Sequence, residues 1–161
     1  MQIWHLSNNW TILTDILAWF IIHMSFAYLV TQLSPSLFNP RSRLFRLKPW
    51  EQNGAVYQKY FRVRDWKKKL PDGAALFRKG FRKKKIRNRD PAYLERFLRE
   101  TCRGELAHWL VFGISPIFFL WNPSWAGWVC VLYGAIANLP CIMVQRYNRP
   151  FIQRLLKEKT V

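Results

Sequence analysis

Residues 1–40 contain neither Lys nor Arg, and neither do residues 105–145. In a chain of 161 residues with a net charge of +17, that absence excludes an evenly solvated basic domain. All 26 Lys and Arg fall in two blocks, 21 in residues 41–104 and five in residues 146–161. Acidic residues number only nine, so the sequence holds no matching set of counter-charges. The three cysteines (Cys102, Cys130 and Cys141) have no metal-ligand spacing and no accompanying histidine, so no metal site is expected. They lie in or beside apolar segments and read as free thiols. The start, Met1-Gln2-Ile3-Trp4, lacks the positive n-region and small-residue cleavage site of a signal peptide. The first apolar segment is therefore expected to be retained.

What is present is half apolar, with 9 Trp and 12 Phe. Apolar blocks alternating with cationic ones predict an all-α integral membrane protein, a single membrane domain over residues 1–161. About three transmembrane helices are expected, plus basic amphipathic interfacial helices on the cytoplasmic side. The first span is residues 10–33, long enough to cross a hydrocarbon core of roughly 30 Å at about 1.5 Å per residue. Trp4 and Trp10 sit at its start, where indoles anchor at the interface. Asp15 and His23 interrupt it, and ionisable groups at that depth are costly. The two either line a cavity or, as is expected for Asp15, lie near the outer headgroups; His23 is left without a role.

Two prolines in residues 34–40 break the chain before the basic cytoplasmic and interfacial segment, residues 41–104. There, Glu51 to Trp66 can be written as an amphipathic helix with Val56, Tyr60 and Val63 on one side. Leu70 to Gly73 is a turn signal. Arg78 to Arg89 carries eight cations and no acid, which in a soluble protein would suggest nucleic acid. Lying between apolar segments, it points instead to anionic lipid headgroups, to a phosphate-bearing substrate such as coenzyme A, or to a plain topology signal. No nucleic-acid partner is expected.

Asp90 as N-cap and Pro91 at the first helical position predict a helix start. Leu94, Phe97, Leu98, Thr101 and Cys102 then follow a helical stripe that runs on into the second span, residues 106–121. Residues 121–124 turn the chain, and the third span is residues 125–145, followed by a basic cytoplasmic tail, 146–161. The two spans form a full hairpin or a re-entrant pair. Pro116 and Pro140 are expected to kink them, and Asn138 needs a polar partner inside the bilayer. The positions of Lys and Arg place both basic blocks in the cytoplasm and the N-terminus outside.

Glu105 and His108 lie three apart and share a helix face. A carboxylate that orients an imidazole makes a general base for activating a hydroxyl. The same spacing also suits an interfacial pair that ends a membrane helix. Cys102, on the face of Glu105, is either a thiol nucleophile or a small buried hydrophobe. The topology brings Glu105, His108, Gln145, Arg146, Asn148 and Arg149 to one depth at the inner surface. Arg146, Asn148 and Arg149 can donate to a developing oxyanion, grip phosphates, or cap the last span.

The segments Leu47–Glu51, Leu70–Phe77, Glu100–Arg103, Glu105–Trp109, Asn138–Pro140 and Gln145–Pro150 resemble the glycosyl-4,4'-diaponeurosporenoate acyltransferase family, in the same order. The resemblance covers roughly residues 46–150 and implies a multi-pass bacterial cell-membrane enzyme of staphyloxanthin-type carotenoid biosynthesis. It would esterify a sugar hydroxyl of a glycosylated C30 carotenoid with a fatty acyl group. A thioester, acyl-coenzyme A, is the expected co-substrate, with no other cofactor. The expected partners are the glycosylated carotenoid, the fatty acyl donor, anionic membrane lipids and other carotenoid-pathway enzymes. The resemblance does not itself assign catalytic residues; spacing and depth make His108 the expected base and Glu105 its orienting partner, with Arg146, Asn148, Arg149, Asn138 and Asp72 expected to bind substrate.

No His-x4-Asp acyltransferase spacing follows His5, His23 or His108, and the chain is short for a many-span O-acyltransferase. The competing class is a non-enzymatic adaptor whose basic cytoplasmic face recruits a partner or anionic lipid. A small channel is weaker, because no span offers a polar stripe. The topology is tested by cysteine labelling in intact cells. A thiol introduced near Asn122 should react with an impermeant reagent and one near Lys84 should not; the reverse pattern overturns the orientation.

Overall fold

The structure, a computed structural model, describes residues 2–4, 7–70, 81 and 90–160. Among these residues it is all-helical. The α-helices are α1 (Asn8–Gln32), α2 (Ala55–Phe61), α3 (Val63–Trp66), α4 (Pro91–Gly113) and α5 (Ser124–Thr160), with short 3-10 turns at Pro35–Leu37, Pro49–Gly54, Lys67–Lys69 and Ser115–Leu120. The chain forms two compact units. The first comprises Met1–Gln32 and Leu106–Pro140, the second Leu33–Glu105 and Cys141–Val161.

Two helices, α1 and α5, are long and apolar enough to cross a membrane. The expected second span is divided: α4 ends at Gly113, and Ser115–Leu120 form a 3-10 turn with Pro116 at its start. Proline lacks the N–H that would continue the α-helical ladder, so the chain tightens there. The third span and the expected tail are one element, since α5 runs from Ser124 to Thr160 through both Pro140 and Pro150.

In the first unit α1 buries only Trp19 and Val30. Trp19 stacks on Phe118 (4.6 Å between centroids) and meets the edge of Tyr133 (4.9 Å). Val111, Phe118 and Cys130 complete this core, with Ile22, Phe26 and Trp121 packed against it. The outward side chains are as apolar as the core: Trp10 is 62% exposed, Phe20 64% and Ile136 66%. Glycines admit the close contacts. A Cβ on Gly134 would lie 2.9 Å from the Trp19 ring, and one on Gly127 would overlap the ring of Phe119.

In the second unit the N-cap expected at Asp90 is present: its carboxylate accepts from the Tyr93 N–H at 3.3 Å. Leu94, Phe97, Leu98, Thr101 and Cys102 are all buried along α4. Leu94, Phe97 and Leu98 pack with Phe81 and Ile152. The single amphipathic helix expected over Glu51–Trp66 is instead three pieces. Pro49–Gly54 form a 3-10 turn in which Gln52 and Asn53 have φ near +50°, and Arg62, also left-handed, separates α2 from α3. These breaks turn the helix faces, so Tyr57 and Val63 are buried while Tyr60 is 66% exposed. Gly54 (φ +86°) closes the turn, and a Cβ there would touch Pro150 and the Tyr147 carbonyl at 3.4 Å.

Gly127→Ala should lower the melting temperature of the detergent-solubilised protein by the equivalent of about 1–3 kcal/mol of overpacking. Measured against Phe119→Ala alone, the same substitution should cost little, because the colliding ring is gone. Differential scanning fluorimetry checks both.

Candidate active site and buried ion network

Among the described residues Arg149 is the largest fully buried side chain, and its guanidinium cannot shed its charge, so the fold must supply acceptors. In the second unit Nη2 donates to Glu105 Oε2 at 2.6 Å, Nε to Thr101 Oγ1 at 3.2 Å, and Nη1 to the Phe45 carbonyl. One turn earlier on α5, Arg146 grips Glu51 with two bonds of 2.6 Å, from Nε to Oε1 and from Nη2 to Oε2. Its Nη1 donates to Glu105 Oε1. Glu105 thus lies between the two arginines, and two carboxylates balance two guanidiniums.

Glu51 is further held by the Tyr57 hydroxyl and the Lys48 N–H, each at 2.5 Å. Burial alone would push its carboxyl up, but the bonds from Arg146, Lys48 and Tyr57 outweigh that and hold it below the ordinary range. Burial, with the Glu51 carboxylate beside it, pushes the Tyr57 phenol above its usual value. Cys102 is fully buried, and burial pushes its thiol up to about 11. That favours the inert small hydrophobe over a thiolate nucleophile.

In the first unit His108 and Asn138 come together, with Nδ1 and Oδ1 2.9 Å apart. The Asn138 amide nitrogen donates to the Gly134 carbonyl at 2.9 Å, so its oxygen is the acceptor that faces the ring. This bond assigns the ring proton to Nδ1, and in the neutral imidazole the lone pair is on Nε2. Asn138 thereby finds the partner its depth demands.

The remaining expected residues have other places. Asn148 Oδ1 accepts from Lys67 Nζ at 2.7 Å. Asp72 lies outside the described residues. Asp15, half-buried on α1, accepts from Trp121 Nε1 and Asn122 Nδ2, both at 2.8 Å. Sequence reasoning missed Glu51, Tyr57 and Thr101. The available signal for Glu51 was an acid isolated among cations and followed six residues later by a tyrosine.

The class these features define is a helical protein of membrane type, with apolar residues facing outward and polar ones such as Asp15 and Asn138 hydrogen-bonded inside. Residues 40–158 match the family model described as glycosyl-4,4'-diaponeurosporenoate acyltransferase. Proteins of that name from Staphylococcus aureus, in strains bovine RF122 / ET3-1 and MRSA252, are each 34% identical to the chain over 140 residues. The alignment covers 86% of this chain and 84% of each relative. No solved structure matches. The chain belongs to the glycosyl-4,4'-diaponeurosporenoate acyltransferase family and is an acyltransferase. The adaptor alternative is not favoured.

Removing one member of a buried ion pair strands the other. Arg146→Met should therefore destabilise the protein by about 3–5 kcal/mol, more than an exposed Arg62→Met. Because the Glu51 carboxyl is held low, its stabilising contribution is complete above about pH 4.3 and is lost as pH falls through its depressed value. Melting curves in detergent across pH 3–7 should show a smaller acid-side loss for Glu51→Gln, which starts from lower stability. Equal acid sensitivity in both proteins would exclude Glu51 as the titrating group.

Proposed function

We propose that this protein transfers a fatty acyl group from a thioester to a sugar hydroxyl of a glycosylated C30 carotenoid, the closing step of a staphyloxanthin-type pathway. His108 is the general base, and the observation that carries this role is its 2.9 Å contact with Asn138. Nε2 takes the proton of the sugar hydroxyl as that oxygen attacks the thioester carbonyl. The tetrahedral intermediate then collapses, the carbon–sulfur bond breaks, and the imidazolium returns the proton to the departing thiolate. Asn138 holds the ring in the tautomer this requires. Glu105, with both oxygens on arginines, acts as a positioning residue that anchors α4 to α5 within the second unit.

Both substrates have apolar tails and polar heads, so a membrane-embedded helical enzyme suits them. The topology that fits the charge distribution has three crossings, the N-terminus outside and the basic segments in the cytoplasm. Residues 41–104 then run along the inner leaflet, among anionic headgroups.

His108→Ala should lower acyl transfer per inserted enzyme about 10²–10⁴-fold without changing the amount inserted. Asn138→Ala should cost less, because the ring keeps its base but loses its fixed tautomer. Carotenoid extracts from cells expressing each variant, analysed for the acylated sugar and normalised to protein level, provide the measurement. Near-full specific activity in His108→Ala would remove it from the mechanism.

A further inference from the structure

Lys67 follows Trp66, the last residue of α3, and its ammonium is placed rather than free to wave in solvent. Nζ donates to Asn148 Oδ1 at 2.7 Å and stands 4.7 Å over the ring of Tyr147. Both partners are neutral. Among the described residues no carboxylate forms an ion pair with Lys67; its neighbour Asp65 is taken by Arg62 at 2.9 Å. The flanking charges have its own sign, since Lys68 and Lys69 continue the same turn and Arg64 lies on α3.

The platform beneath it is firm. Tyr147 and Asn148 follow Arg146 on α5, which is fastened by Glu51 and Glu105. Gly54 packs against the backbone of Tyr147 through a turn that only glycine adopts easily. The Trp66 indole is pinned to the Phe61 carbonyl at 2.8 Å. A half-buried cation held by neutral groups and flanked by like charges is electrostatically incomplete. An anion would complete it.

We propose that Lys67 and Asn148 form the anchor for a phosphate-bearing head, either that of the acyl donor or that of a membrane lipid. Lys67 supplies the charge, the amide nitrogen of Asn148 is a further donor, and Arg64 and Lys68 add long-range attraction. Burial, reinforced by Lys68 and Arg64, lowers the Lys67 pKa from its ordinary value. A bound phosphate opposes that shift by favouring the charged ammonium. The inference rests on the acyltransferase reading only in requiring that a donor with a polar head binds.

The test uses the full-length protein in phosphatidylcholine nanodiscs, with coenzyme A as probe, and in parallel nanodiscs containing phosphatidylglycerol. Lys67→Ala should weaken coenzyme A binding about tenfold, the effect of one charge-assisted contact. Lys67→Arg should largely restore it. Asn148→Asp, which supplies an internal counter-ion and leaves Lys67 in place, should weaken it similarly, and it carries the test if Lys67→Ala fails to fold. If coenzyme A binding is unchanged but the thermal stabilisation by phosphatidylglycerol disappears in both Lys67→Ala and Asn148→Asp, the head belongs to a lipid. If neither readout changes in a folded variant, the proposal is overturned. Neither readout involves turnover, so failure here leaves the role of His108 standing.

Discussion

A guanidinium with no access to water must find acceptors from the protein, and Arg149 imposes that constraint on the second unit. Its three donor directions take up Glu105, Thr101 and the Phe45 carbonyl, contributed by distant stretches of chain. Glu105 then has a second oxygen to satisfy, which Arg146 does, and Arg146 in turn takes both oxygens of Glu51. The sum of charge is zero, which is what makes burial tolerable. The left-handed residues at 52–54 follow from the same demand. Glu51 and Tyr57 must both reach one point, and an unbroken helix would carry residues six apart to different faces.

The first unit solves an opposite problem. Its exterior is apolar, so polar groups within it depend on local partners. Asp15 finds them in Trp121 and Asn122, and Asn138 in Gly134 and His108. Small residues permit it. At Gly134 the indole of Trp19 lies where a side chain would otherwise be, and the same residue's carbonyl receives the Asn138 amide.

The partner chosen for His108 carries a chemical meaning. An amide fixes the tautomer and ring orientation with a dipole and adds no charge. In the proposed mechanism the imidazolium formed during attack is short-lived and returns its proton to the leaving thiolate. For His108 as the proposed base, orientation counts for more than charge compensation. In the second unit, by contrast, charge is matched with charge and the result is anchorage.

Several features were determined by the sequence alone. The segregation of Lys and Arg marks the apolar segments, and Asp90-Pro91 starts α4. The spacing of Leu94, Phe97, Leu98, Thr101 and Cys102 states which face is buried, because these signals are local and act through helix periodicity. His108, Asn138, Arg146 and Arg149 stood out as polar groups at the edges of apolar runs. Their partners did not. Local spacing offers Glu105 to His108 and says nothing of the two arginines, 41 and 44 residues away, that deliver a full charge to each of its oxygens. Glu51 meets Arg146 across 95 residues, a pairing that no periodicity encodes. Only the tertiary structure decides such contests, because electrostatic partnership depends on distance in space, and the chain fixes that distance only once it has folded.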